Sequence, residues 1–373
     1  MRKVLFLTGT RADFGKLKSL LYQLECKHNF EVHIFVTGMH MLKKYGYTYD
    51  EIEKCGFKNI YKYINQNHSD TMDSILAKTV QGFSDYVKEI DPSIIIVHGD
   101  RVEALAGAIV GSLNNILVAH IEGGEVSGTV DGLMRHAITK MSHLHFAANQ
   151  VARKRLLQLG EAPESIYEIG SPDMDILVSQ NLPTLEEVKK RYEISFEKYS
   201  ILLFHPVTTE LANLRQDIEN LVDCVLEDSR NYVVIYPNND EGTDTIFYEY
   251  NRFKSAKNCR LFPSMRFEYF LTLLKNSQFI IGNSSAGIRE APFYGVPCIN
   301  IGTRQADRGS AATVLHSGTS KEEIKSALKA VNNVERKKEA LFGDGKSNEM
   351  FLEILEREEI WSLSTQKYFI DLN

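Results

Sequence analysis

Two stretches far apart in the chain each follow an apolar run, and each reads as strand, tight turn and helix start. The first is Thr8-Gly9-Thr10-Arg11-Ala12-Asp13-Phe14-Gly15-Lys16, and the second is Gly282-Asn283-Ser284-Ser285-Ala286-Gly287-Ile288-Arg289-Glu290. In an open parallel sheet, ligands bind at the carboxyl ends of the strands, where helix N-termini present N–H groups to anions. Two such turns in one chain imply two parallel sheets and a phosphate-bearing ligand, expected between them.

The rest of the chain fits that constraint. Strands are expected at residues 4–8, 31–37, 93–98, 117–121, 144–147 and 166–169, with helices between them, for example at 71–90 and 104–113. The run Ser93-Ile94-Ile95-Ile96-Val97 is apolar on both faces, as a central parallel strand should be. Gly170-Ser171-Pro172-Asp173 reads as a hinge. The pattern then restarts, with strands expected at 200–204, 232–236, 259–262, 279–281 and 296–299 and helices at 211–227, 267–275 and 321–331. The expected class is α/β, with two Rossmann-like domains facing across a cleft in the GT-B arrangement. The boundaries would be 1–170, 171–355, and a 356–373 helix and tail returning to the first domain. Residues 349–361 read as one amphipathic helix.

Composition removes several classes. The 373 residues carry a formal charge of −6, which argues against a nucleic-acid binder. No run reaches the ~18–20 apolar residues of a membrane span, and no signal-peptide core is visible. Five scattered cysteines, never spaced CxxC, fit neither a disulfide framework nor a zinc site. These features lead to the expectation of a cytoplasmic protein.

Chemistry-bearing residues gather where strands end. His98-Gly99-Asp100-Arg101 closes the most apolar strand, so a carboxylate and a guanidinium meet at the ligand edge. Asp100 could equally cap the next helix. His120-Ile121-Glu122-Gly123-Gly124-Glu125 follows another strand, and Asp131, Arg135 and His136 come shortly after, with Asp131 and Arg135 at i,i+4. Carboxylates crowded together split their pKa values, which permits one acid and one base. His143 and His145 share a strand face, which invites a metal reading, although packed and hydrogen-bonded histidines account for them more simply. His40 and Tyr45-Gly46 suggest a mobile loop over the cleft. In the second domain, His205 follows a strand and suits proton transfer. Asn238 ends the next strand, Ser284 and Ser285 open a helix start, Glu290 can accept from ribose hydroxyls, and Arg304 can reach phosphates.

Taken in order, these motifs resemble the UDP-N-acetylglucosamine 2-epimerase family, and within it the hydrolysing branch that releases N-acetylmannosamine. The resemblance runs from Gly9-Thr10-Arg11-Ala12-Asp13 to the tail at Gln366-Lys367-Tyr368. The non-hydrolysing branch has Pro-Glu where this chain has Ala12-Asp13, and Glu-Ala-Gly where it has Glu122-Gly123-Gly124. The resemblance implies loss of UDP from C1 with removal of the C2 proton, a 2-acetamidoglucal, then hydration with a proton returned to the opposite face. It implies that Asp100, Glu122 and Asp131 are acid/base groups and that His205 is catalytic. Arg11, Arg101, Asn238, Ser284, Ser285, Glu290 and Arg304 would hold UDP. Lys16, His40, Gly124, Arg135 and His136 would complete the substrate contacts. No metal and no cofactor are expected; the partners would be a UDP-sugar and other copies of the chain, as a homodimer or homotetramer. The rival readings are a sister enzyme hydrolysing a UDP-2,4-diacetamido-2,4,6-trideoxyhexose, a GT-B glycosyltransferase, and a non-enzymatic sugar-nucleotide sensor.

Overall fold

The computed structural model describes residues 1–373 except 68, 128–129, 180–181, 238–239, 306–310, 369 and 372–373. The chain forms two compact units. Unit 1 comprises residues 1–125, 131–178 and 342–373, and unit 2 comprises 126–130 and 179–341.

Unit 1 holds strands β1 (Arg2–Thr8), β2 (Phe30–Val36), β3 (Asn59–Lys62), β4 (Ile94–His98), β5 (Leu117–Ile121), β6 (Leu144–Ala147) and β7 (Ile166–Glu168). Its helices are α1 (Arg11–Glu25), α2 (Tyr49–Glu53), α3 (Met72–Ile90), α4 (Val102–Leu113), α5 (Val130–Met141), α6 (Gln150–Gln158) and α7 (Pro172–Leu177). Unit 2 holds β8 (Ser200–Leu203), β9 (Tyr232–Ile235), β10 (Cys259–Phe262), β11 (Ile280–Gly282), β12 (Cys298–Ile301) and β13 (Val314–Ser317). The helices α8 (Leu185–Arg191), α9 (Leu211–Glu227), α10 (Thr243–Tyr250), α11 (Phe267–Lys275), α12 (Glu290–Tyr294) and α13 (Lys321–Ala330) surround it. The chain then returns to unit 1 through α14 (Ser347–Leu355) and α15 (Glu358–Trp361).

Both sheets are parallel throughout. Their orders are β3-β2-β1-β4-β5-β6-β7 and β10-β9-β8-β11-β12-β13. Each reverses direction once, between β1 and β4 in unit 1 and between β8 and β11 in unit 2. The crevice beyond the strand ends at such a switch point is where open α/β sheets bind ligands. The turn after β1 and the Asp100 turn after β4 therefore flank one switch point, and the His205 and Asn283-Ser284 turns flank the other.

Alternation along the strands fills both faces of the first sheet. Val4, Phe6, Ile34, Ile94 and Ile96 pack on one side with Leu17, Leu20, Leu21 and Leu24 of α1. Leu5, Leu7, Phe35, Ile95 and Val97 pack on the other with Phe83, Val87, Ala104 and Ala108 of α3 and α4. In unit 2, Leu202, Val234, Ile281 and Ile299 pack with Ile218, Leu221 and Val225 of α9 and with Ile324 and Leu328 of α13.

Four expectations are corrected. Edge strands β3 and β13 escape the sequence reading because all their residues but Val314 stay at least partly wet and carry no continuous apolar run. Gly170–Asp173 is no hinge: Ser171 and Asp173 are wholly buried, Pro172 opens α7, and α7 packs on α1 inside unit 1. The units divide after Val178 rather than at 170, and the return begins at Phe342 rather than at 356. The cause is α14, whose Phe351 ring lies 6.4 Å from Phe6 and 4.9 Å from Phe146 in the unit 1 core. Finally, the single helix expected at 349–361 is two, with Arg357 in extended conformation between them.

Candidate active site

In unit 1 the site grows from three strand ends. After β1, Thr10 caps α1, its hydroxyl accepting from the Asp13 N–H at 3.1 Å. Asp13 Oδ2 in turn accepts from Gly9 N at 3.2 Å. Arg11, the first residue of α1, donates to Glu51 Oε1 at 2.8 Å. After β4, Arg101 Nε donates to the buried Glu103 Oε2 at 3.3 Å.

After β5 the backbone takes an unusual path. Glu122 has φ +63°, in the left-handed region that side-chain-bearing residues seldom occupy. Its N–H donates to Phe146 O at 2.9 Å, which ties the turn to β6. Gly124 follows at φ +80°, and a Cβ there would lie 2.3 Å from Ala152 O, so only glycine fits. Strain of this sort costs about 1–3 kcal/mol and persists where the surroundings over-determine it. Here it turns the Glu122 carboxylate into a group of charges.

Those charges come from four directions. Lys16 Nζ of α1 lies 3.1 Å from Asp173 Oδ2 and 3.8 Å from Glu122 Oε2. His98 at the end of β4 lies between Asp13 and Glu122. Ser171 Oγ contacts both the Glu122 and the Asp173 carboxylates. Arg135 of α5 donates to the Glu122 carbonyl at 2.6 Å and pairs with Asp100. Thus Asp100, Glu122, Arg135 and Lys16 lie in one connected network of contacts. Asp131 stands in the first turn of α5, and His136, lowered in pKa by burial, one residue beyond Arg135.

His40 does not occupy a mobile loop. It is fully buried, with Nε2 3.2 Å from Thr8 Oγ1 and Nδ1 2.7 Å from Thr48 Oγ1. Burial lowers its pKa to about 4, so it supports the β1 turn as a neutral ring. The metal reading of His143 and His145 fails for a similar reason. His143 Nδ1 accepts from Val118 N at 3.0 Å and Nε2 donates to Thr365 O at 2.9 Å. His145 Nε2 meets Glu161 Oε2 at 2.8 Å, and Lys367 of the tail and Lys140 pair with the same carboxylate. Among the described residues, no three His, Cys, Asp or Glu side chains are grouped to hold a metal ion.

In unit 2, Gly282 ends β11 at φ +137°, and a Cβ there would lie 2.0 Å from Leu203 O. That close approach lets Asn283 clamp the neighbouring turn. Its Oδ1 accepts from His205 N at 2.7 Å and its Nδ2 donates to His205 O at 2.8 Å. The Asn283 carbonyl then accepts from Arg304 Nη1 at 3.3 Å and Gln305 Nε2 at 2.9 Å. Ser284 caps the short turn Ser285–Gly287, accepting from Ala286 N at 3.3 Å. Glu290 is buried at the start of α12. His205, Ser284 and Arg304 are therefore gathered around one asparagine. Asn238 lies outside the described residues.

Sequence reasoning named neither Asp13 nor His98 as a site residue, and it took Ser171 and Asp173 for a hinge. It also passed over Asn283 and Gln305. The signal for His98 and Asn283 was their place inside motifs already read. For Ser171 and Asp173 there was none, because sheet order alone carries that segment to Glu122.

The family model described as UDP-N-acetylglucosamine 2-epimerase matches residues 23–356. A UDP-N-acetylglucosamine 2-epimerase of Neisseria meningitidis serogroup B is 46% identical, covering 100% of both chains. A UDP-N,N'-diacetylbacillosamine 2-epimerase (hydrolyzing) of Legionella pneumophila is 32% identical over 95% of this chain and 96% of its own. Among solved structures, a UDP-GlcNAc 2-epimerase from Neisseria meningitidis bound to UDP-GlcNAc superposes with a TM-score of 0.81 at 20% identity, covering 95% of this chain and 99% of that one. One from Methanocaldococcus jannaschii in complex with UDP-GlcNAc and UDP gives 0.80 at 25% identity, with the same coverage.

Proposed function

Since the chain belongs to the UDP-N-acetylglucosamine 2-epimerase family, we propose that it is the hydrolysing kind, converting UDP-N-acetylglucosamine and water into N-acetylmannosamine and UDP. Such an enzyme opens sialic acid synthesis. The observation that carries the reading is the Asp100, Glu122 and Arg135 convergence at the first switch point, with Glu122 held in a strained turn. The C2 proton of a sugar is weakly acidic, so its removal needs a base held in place and a stabilised leaving group. Asp100, Glu122 and Asp131 supply acid/base groups. Inversion at C2 requires two of them, because the proton leaves one face and returns to the other. The Asn283 cluster supplies the leaving-group side: Ser284 and Ser285 bind phosphate oxygens, Arg304 neutralises their charge, Glu290 accepts from ribose, and His205 orients or relays a proton. Within unit 1, Arg11 and Arg101 put positive charge at the first switch point, and a dimer or tetramer is the working assembly.

The branch assignment rests on Ala12-Asp13 and Glu122-Gly123-Gly124. The hydrolysing diacetylbacillosamine enzyme at 32% identity keeps a second substrate in view, a UDP-2,4-diacetamido-trideoxyhexose. Incubation with each UDP-sugar in D₂O decides between them. The expected result is free N-acetylmannosamine deuterated at C2, from UDP-N-acetylglucosamine in preference to the diacetamido sugar. Product still attached to UDP, or retaining its original C2 proton, would overturn the proposal.

A further inference from the structure

Behind Glu122 runs a chain of side chains that the acid/base assignment leaves unused. Asp13 Oδ1 lies 2.9 Å from His98 Nδ1, and His98 Nε2 lies 3.3 Å from Glu122 Oε2. The ring is 9% exposed and Glu122 is 2% exposed. The Asp13 carboxylate is anchored by its second oxygen, which accepts from Gly9 N. The three residues come from α1, the end of β4 and the turn after β5, and meet because β1, β4 and β5 are neighbours in the sheet. Both contacts are at ion-pair distance, and Asp13 Oδ1 and His98 Nε2 make no formed hydrogen bond, so the ring balances the two carboxylates by charge, which needs both of its ring protons. Burial alone lowers the ring's pKa, but the negative charges of Glu122 and Asp13 beside it outweigh burial and raise it to about 9. His120 of β5 is the other titratable group coupled to the ring, while Lys16 of α1, Arg135 of α5 with its partner Asp100, and Asp173 of α7 gather about Glu122 and its contacts. His120 does not compete, since burial holds it neutral, with its pKa near 3.

We propose that His98 is a positioning residue for Glu122, and that Asp13 fixes His98, so that the Asp13–His98–Glu122 chain aims the carboxylate during proton transfer at C2. This rests on the reading that Glu122 takes part in that transfer. His98 keeps both its protons throughout; it aims and balances charge, and touches no substrate atom. The chain also gives Asp13, one of the two marks of the hydrolysing branch, a physical task.

The test compares the wild type with His98→Gln and Asp13→Asn, reading kcat and KM across pH and UDP affinity by calorimetry. His98→Gln should lose roughly 10²-fold in kcat, the scale of a misplaced catalytic group, with KM and UDP affinity nearly unchanged. The wild type should lose kcat through an alkaline limb near the ring's pKa of about 9. In Asp13→Asn that limb should move to lower pH, and in His98→Gln it should vanish, which a structural role alone would not cause. A kcat for His98→Gln within about threefold of wild type, or an unmoved limb in Asp13→Asn, would overturn the proposal. NMR titration of the His98 ring needs no substrate and keeps the two readings apart. If the wild type turns over no UDP-sugar, the functional reading fails, and the ring alone decides. A ring that stays doubly protonated toward pH 9 and drops in Asp13→Asn supports the chain, and one that titrates near the ordinary 6.5 sinks it.

Discussion

Single residues carry the sharpest consequences. Asp100→Asn, Glu122→Gln and Asp131→Asn should each lower turnover by roughly 10²–10⁴, the usual loss for an acid/base group. UDP affinity should move little. Arg304→Ala should do the reverse, weakening UDP by about 1.5–3 kcal/mol as a charge-assisted bond is lost; unchanged affinity by calorimetry would remove Arg304 from the phosphate site. His120 makes a prediction about pH. Its Nε2 donates to Gly99 O at 2.8 Å, and burial lowers its pKa from 6.5 to about 3. As pH falls from 6.5 toward 3 the unfolded ring takes up a proton and the folded ring resists, so stability drops across that window, by up to about 1.4 kcal/mol per unit of pKa difference. His120→Gln should flatten the acid slope of the unfolding free energy. The comparison must be between variants. Asp175, raised by burial to about 6, protonates first in the folded state and opposes the trend over an overlapping range.

At the scale of elements, the notable device is a cap supplied from a distance. Helix α14 has no side-chain cap of its own. Instead Asp175 of α7 accepts from Ser347 N at 2.8 Å and Asn348 N at 2.9 Å, while Ser19 of α1 donates to it at 3.0 Å. One carboxylate thus joins α1, α7 and α14. Asp175→Ala should cost about 1–2 kcal/mol, at the upper end for a cap, because buried donors lose their acceptor. Thr184→Ala, in the exposed capping box of α8, should cost less. Urea unfolding above the raised Asp175 pKa of about 6 ranks the two, and an equal or smaller loss at Asp175 would contradict this account. The tail is tied in the same manner, with Lys367 donating to Ser142 O at 2.6 Å and pairing with Glu161.

At the scale of the molecule, unit 1 is assembled from both ends of the chain. A protein ending at residue 341 should fail to give a cooperative unfolding transition, because the first sheet would lose the helix that covers Phe6 and Phe146. Phe351→Ala in the full chain should cost about 3–5 kcal/mol, the range for a buried phenylalanine. A cooperative, native-like 1–341 fragment would show that α14 is dispensable. Turnover should also survive EDTA, since His143 and His145 are tied to Val118, Thr365 and Glu161. Loss of activity in the chelator, restored by one divalent ion, would reopen the metal reading.

The sequence by itself settled what depends on local pattern. Apolar runs such as Ile94–Ile96 required buried parallel strands, and Gly124 and Gly282 marked the turns where backbone must approach backbone. With the alternation of strand and helix, that was enough to place Asp100, Glu122, His205 and Ser284 at strand ends. Half-exposed β3 and β13 lacked such a run and stayed hidden. Tertiary structure alone decided which strand ends became neighbours. Sheet order brought Asp13, His98 and Glu122 together, packing of α7 on α1 delivered Ser171 and Asp173 to the same carboxylate, and burial fixed His40 between Thr8 and Thr48. The physical reason is that strand and turn propensities act over a few residues, whereas a charge network is set by distances in space between groups the chain holds far apart.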